Sequence, residues 1–268
     1  MEKRNLIFKI IMNILIFFLI APLIILAIWS FSKIWPWPDL FPKSFGIRGF
    51  KYIFNPSNKS LKILMFSVWL STVVTVITLL ISIPAAKALG VYNFKGKRVF
   101  KILVLAPIIV PPVVVAMGIH VAFIRMGLAN TFVGVVLVHL IPCIPYGVRI
   151  LTNVFEILGE SMEIQARVLG ANPFQAFIHI TLPLLAPGLL SAGSMVFIVS
   201  FSQYFLTFLI GGGKIVTFSM LMFPFIKSGD RMMASVYSSI FILTTLTVLL
   251  VMEKMVKSYY KGENYFYL

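Results

Sequence analysis

Glu156, Glu160 and Glu163 stand four and three residues apart, close enough to suggest paired carboxylates for general acid and base work. They fall in the most polar stretch of an apolar chain, and their types and spacing read as a solvated face. Gly211-Gly212-Gly213-Lys214 invites comparison with a phosphate-binding loop. It fails the comparison, because the position five residues before Gly213 is Phe208 and no Ser or Thr follows Lys214. No His-Glu-x-x-His metal pattern and no Gly-x-Ser-x-Gly elbow occurs. Cys143 stands alone, which excludes an intramolecular disulfide and a cysteine-based zinc cluster. His120 and His139 are the ionisable residues deep in apolar segments, and they read as packed or hydrogen-bonded rather than as proton relays. What remains is a polar face, Ser200, Gln203, Tyr204 and Thr207, recurring at helical spacing. It could line a path for a polar solute; Ser and Thr also stabilise helix contacts in lipid.

The elements that must position these groups follow from composition. Of 268 residues, 60% are hydrophobic and 12% charged, and mean hydropathy is +1.00. A water-soluble fold cannot hide that much apolar surface. Several apolar runs reach the roughly 20 residues a helix needs to cross a bilayer. Six segments fit: Ile10 to Ser30, Leu61 to Ile83, Phe100 to Phe123, Thr131 to Ile150, Ala186 to Leu209, and Met233 to Met252. The expectation is an all-α polytopic membrane protein. Residues 1–60 supply the first helix and an external loop, 61–252 a five-helix core with a cytoplasmic loop at 152–185, and 253–268 a tail. Pro107, Pro111, Pro112, Pro142 and Pro145 predict kinks in the third and fourth spans. The first apolar run is too long for a secretory signal and lacks a cleavage site, so it reads as a retained span, with Trp29, Trp35 and Trp37 as an interfacial belt.

The formal charge of +15 would suggest nucleic acid in a soluble protein, but the basic residues lie mostly between apolar runs, as lipid anchors and topology signals do. The loop with Lys95, Lys97, Arg98 and Lys101 has no acid and is therefore placed in the cytoplasm, which puts both termini and the 152–185 loop there too. Lys33, Lys43, Arg48, Lys51 and Lys59 run against that orientation.

Residues Glu156 to Pro183 form a polar excursion between two spans. Ser161 is expected to cap a first short helix, with Glu163 in its first turn and Gly170 ending it. Asn172 is a natural N-cap for a second, with Pro173 at its first position and Gln175 completing a capping box; Leu182-Pro183 closes it. This helix-bend-helix would expose Ala166, Ala171, Phe174 and Phe177.

The run Glu163-Ile164-Gln165-Ala166-Arg167-Val168-Leu169-Gly170, ending in Ile180-Thr181-Leu182-Pro183, resembles the cytoplasmic loop signature of ABC importer permeases, Glu-Ala-Ala, three residues, Gly, nine residues, Ile, one residue, Leu-Pro. Ala166, Gly170, Ile180, Leu182 and Pro183 match in spacing, while Ile164 and Gln165 replace the first Glu-Ala. The stretch Ser200 to Thr207 followed by Gly211-Gly212-Gly213 is similar to the branch handling polyamines, phosphonates, thiamine or ferric iron. The resemblance implies a permease subunit, not an enzyme, in a bacterial or archaeal cytoplasmic membrane. It implies that Glu163, Ala166, Arg167, Gly170, Asn172, Pro173, Phe174, Ile180, Leu182 and Pro183 form a coupling element docking on an ATPase dimer. It further implies a second, non-identical permease, an external solute-binding protein, and ATP and Mg held by the ATPase with no cofactor in this chain. The alternatives are an amphipathic helix lying on the membrane surface, a stand-alone secondary transporter or channel, and a structural or scaffolding membrane protein with no pathway.

Overall fold

The computed structural model describes the backbone of residues 2–36 and 38–260, and their side chains except those of 2–7, 112, 259 and 260. Trp37 of the expected aromatic belt and residues 261–268 of the expected tail lie outside the described residues. The chain is helical almost throughout, and it divides into two compact units, Met1–Ile63 with Leu221–Thr244, and Leu64–Met220 with Thr245–Leu268. Among the described residues five helices are long and apolar enough to cross a membrane, or six if a bent pair counts as one span.

In the first unit, α1 (Glu2–Ser30) leads into a small antiparallel pair, β1 (Ser32–Ile34) and β2 (Ser44–Phe45), with Ser32 opposite Phe45. Trp35 stacks on Trp29 with ring centroids 4.2 Å apart, and the Arg231 guanidinium lies 5.4 Å from the Trp29 ring, so the retained pair of the belt is an aromatic and cation-π stack. Helix α2 (Arg48–Phe54) follows, and Gly49 lies so close to Met232 and Val236 that a Cβ there would sit 2.7 Å from Val236.

The second unit contains most of α3 (Ser60–Gly90), then α4 (Lys97–Ile109), α5 (Pro112–Arg125) and α6 (Phe132–Leu158). The third expected span is broken, not kinked: α4 and the helix after it meet at 94°. The residue before a proline is pushed out of the α region. Two prolines in sequence therefore hold both Val110 (ψ 130) and Pro111 (ψ 128) extended. The prolines inside α6, Pro142 and Pro145, leave that helix unbroken over 27 residues, eight beyond Ile150. After the polar segment come α9 (Leu182–Phe201) and α10 (Phe205–Gly211), then α11 (Phe218–Ser228), a shorter apolar helix, and α12 (Arg231–Tyr260). Helix α9 packs chiefly on α6. Gly188 permits this approach, since a Cβ there would lie 2.7 Å from Val154, and Ala192 beside it is fully buried. One apolar core joins α3, α6 and α9 through Val74, Val138, Cys143 and Val196. A second, around Ala86, Leu151, Phe155 and Leu185, fixes the end where the polar segment begins.

Candidate functional site

The polar segment consists of α7 (Ser161–Val168) and α8 (Pro173–Ala176). Ser161 does not cap α7. Gly159 turns the chain sharply at φ +62°, so Glu160 is already near-helical at the cap position and makes no side-chain cap bond. The other end is a Schellman closure around Gly170 at φ +97°: Ala171 N–H donates to the Ala166 carbonyl and Gly170 N–H to Arg167, both at 3.0 Å. At that φ a residue with a Cβ is strained, which is why glycine stands here. The start of α8 is the expected capping box, with Gln175 N–H donating to Asn172 Oδ1 at 2.8 Å and Asn172 N–H to Gln175 Oε1 at 3.0 Å, and Pro173 at the first position. Leu182-Pro183 does not close α8. Pro183 has no N–H to donate, and a π-turn over Phe177–Thr181, with Leu182 N–H reaching back to Phe177, absorbs that loss and carries the helix into α9.

Two short helices are thereby fixed at a bend, and large apolar side chains project from it among polar ones. Leu169 is 88% exposed, Val168 81% and Phe174 73%, with Ile164 exposed beside them. Arg167, Gly170, Asn172 and Pro173 are exposed as well. Ala166, Ala171, Phe177, Ile180, Leu182 and Pro183 are half-buried, so Phe174 is the freely presented ring of the expected four.

The expected solvated face of three glutamates breaks up. Glu156 pairs with Lys101, both partly exposed. Glu163 turns inward: both its oxygens accept from Lys87 Nζ at 2.8 Å, and Thr181 Oγ1 donates to it at 3.0 Å. Only 18% of the Lys87 side chain and 16% of the Glu163 side chain remain exposed. Partial burial pushes the Glu163 carboxyl up, but the hydrogen bonds from Lys87 and Thr181 and the charges of Lys87 and Arg167 outweigh it, so it lies below its ordinary value. These contacts place the ends of α3 and α6, the start of α4, and α7 at one end of the bundle, where Lys87, Lys95, Lys97, Arg98, Lys101 and Arg167 gather.

The polar residues of the fifth span do not share one helical face. Helix α9 ends at Phe201, and α10 (Phe205–Gly211) begins after a break at Ser202-Gln203-Tyr204. Ser200 and Thr207 are buried on the two sides of that break and meet the fully buried His139 of α6: Nδ1 to Ser200 Oγ at 3.0 Å, Nε2 to Thr207 Oγ1 at 2.8 Å. Thr207 and Ser219 hydroxyls both donate to the Gln203 carbonyl, at 3.0 Å each, which satisfies backbone freed by the break. His139 thus has the hydrogen-bonded structural setting its sequence context suggested. Gln203 and Tyr204 are half-buried at the break itself. Sequence reasoning missed this three-element joint, since its partners lie 61 and 68 residues apart. Among the described residues no cluster of His, Cys, Asp and Glu could hold a metal ion.

A family model described as the binding-protein-dependent transport system inner membrane component matches residues 78–259. The molybdenum transport system permease protein of Mycobacterium tuberculosis is 29% identical over 179 residues, 62% of this chain and 67% of the relative. The arabinooligosaccharides transport system permease protein of Halalkalibacterium halodurans is 30% identical over 148 residues, 55% of this chain and 52% of the relative. The putrescine transport system permease protein of Escherichia coli is 25% identical over 143 residues, 51% of each. The chain thus spans about half the length of the last two. In fold it is similar to a bacterial ABC transporter involved in the import of the acidic polysaccharide alginate, with a TM-score of 0.69, 19% identity and 97% of both chains covered.

Proposed function

The chain belongs to the family of binding-protein-dependent transport system inner membrane components, and from that premise we propose that it forms half of the translocation pathway of an ATP-driven importer and docks on an ATPase through α7 and α8. The observation that carries the docking assignment is the set of large apolar side chains that this segment leaves exposed. Val168, Leu169 and Phe174 project from a capped bend at the end of the bundle where Lys87, Lys95, Lys97, Arg98, Lys101 and Arg167 gather. Positive charge gathered at one end marks the cytoplasmic side, and α7 itself has no buried residue. Both termini then lie in the cytoplasm of a bacterial or archaeal cell, with this chain in the cytoplasmic membrane. ATP and Mg are held by the ATPase dimer, hydrolysis belongs to that separate chain, and this one carries no cofactor. An external solute-binding protein delivers substrate, and a second, non-identical permease completes the pathway, within the lipid bilayer and without nucleic acid. Ala166, Gly170, Asn172, Pro173, Ile180, Leu182 and Pro183 shape the docking element, while Arg167 and Phe174 present charge and ring to the partner.

The substrate is a small polar solute, in the class of a polyamine, phosphonate, thiamine or ferric iron. The polyamine reading has the putrescine relative in its favour. The side chains of Gln203 and Tyr204 at the helix break are the groups offered to the solute, and Ser200 and Thr207 hold that break in place. Deleting Glu163 to Pro173 is expected to leave the chain in the membrane and abolish co-purification of an ATPase. Unchanged co-purification would discard the docking assignment, and gradient-driven transport by the isolated chain in liposomes would favour a stand-alone transporter.

A further inference from the structure

Among the described residues, α7 has no buried side chain, and no side-chain hydrogen bond or ion pair other than those of Glu163 joins it to the rest of the fold. Its side-chain polar attachment therefore rests on one residue, Glu163, beside the packing of α7 against the Phe177–Thr181 turn. The anchor points are rigid. Lys87 follows the fully buried Ala86 on α3, and three residues on Gly90 lies so close to Phe155 of α6 that a Cβ there would sit 2.7 Å from it. Thr181 is 8% exposed at the head of α9, and Leu185 one turn later is fully buried. The bridged helices, α3 and the continuous stretch from Pro173 to Phe201, are both long enough to cross the membrane.

We propose that Glu163 is an internal strut, a positioning residue that ties α7 to α3 through Lys87 and to α9 through Thr181, and that it is not itself a contact to the ATPase. Resting on the docking assignment above, the strut explains how a push on the outer face of α7 reaches two membrane-crossing helices at once. A carboxylate held at both oxygens by one ammonium and by a hydroxyl has fixed direction, and at this low exposure it is little screened by salt. Apolar contact on the outside and an ionic tie on the inside divide the labour: one binds the partner, the other transmits.

The test uses the membrane assembly purified with its own ATPase, carrying Ser202→Cys at the exposed break of the fifth span, with the buried Cys143 left in place. Maleimide reactivity is compared without nucleotide and after trapping with ATP, Mg and vanadate. Glu163→Gln and Lys87→Met are each expected to retain the ATPase but to shrink the nucleotide-dependent change by at least about fivefold. The exchange Lys87→Glu with Glu163→Lys is expected to restore it. The proposal is overturned if Lys87→Met is silent while Glu163→Gln is not, if either single variant loses the ATPase, or if all variants respond like the native chain. Should the native chain itself hold no ATPase, the docking assignment falls alone. The strut is then read from spin labels at Asn153 and Gln165, whose distance distribution must broaden in both single variants and sharpen again in the exchange; no broadening overturns it.

Discussion

Replacing Phe174 by alanine separates partner binding from folding. The ring is 73% exposed in the free chain, and a phenylalanine carries about 150–250 Å² of surface, so roughly 110–180 Å² is available for burial against a partner. At about 25 cal/mol per Å², covering that area contributes about 3–4 kcal/mol. Alanine keeps part of the contact, which brings the expected loss to about 2–3 kcal/mol, the range of an interface anchor. Since about 1.4 kcal/mol is tenfold, the dissociation constant of the ATPase should rise roughly 30- to 150-fold. The isolated chain gives up little, within about 0.5 kcal/mol, as for other exposed positions. The assay is titration of purified ATPase onto the chain in nanodiscs, alongside thermal unfolding of the chain alone. A shift below about threefold, or a loss of affinity matched by a loss of stability, would refute the reasoning.

Gly170→Val forces a β-branched residue to φ +97°; the Schellman closure should open at a cost of at least about 1–2 kcal/mol, read as faster proteolysis at the bend and weaker ATPase binding. His139→Leu takes both ring bonds from the joint at the break of the fifth span and leaves the Ser200 hydroxyl without its ring partner. Unfolding in detergent should come at lower temperature, by about 1–3 kcal/mol of stability, with ATPase affinity unchanged, the reverse of Phe174→Ala. The Glu163 carboxyl is held below its ordinary value, so its contribution is fully present above the unfolded value, about pH 4.3, and is lost as pH falls through the lower folded value. The stability difference between the native chain and Glu163→Gln should accordingly stay constant from about pH 7 to 5 and close only in stronger acid; a difference that closes near neutrality contradicts the assignment.

Local signals were legible in the sequence because their physics is local. Asn172, Pro173 and Gln175 specify a helix start within four residues, and the structure makes both bonds of the box. Gly170 marks an end that needs positive φ. Apolar length located the first, second, fourth and sixth expected spans on long helices, whereas the third is broken at its proline pair and the fifth ends at Phe201. The prolines were harder: Pro111-Pro112 break a span because they come as a pair, whereas Pro142 and Pro145 sit inside an unbroken helix packed on its neighbours. The break at Ser202-Gln203-Tyr204 carries no proline or glycine. Long-range bonds from His139 and Ser219 stabilise it, and no window of sequence displays them. The same holds for Glu163, whose partner Lys87 lies 76 residues away. Read locally it is a surface acid of a polar helix, and only the juxtaposition of α3 with α7 turns it inward.

The central claim is that α7 and α8 face the cytoplasm and lie under an ATPase. Leu169→Cys, at an 88% exposed position in a chain whose own Cys143 is buried, tests it with a membrane-impermeant maleimide. Right-side-out vesicles should stay unlabelled, inside-out vesicles stripped of peripheral proteins should label fully, and adding back the ATPase should protect the thiol. Labelling from the outer side, or no protection by the ATPase, would contradict the account.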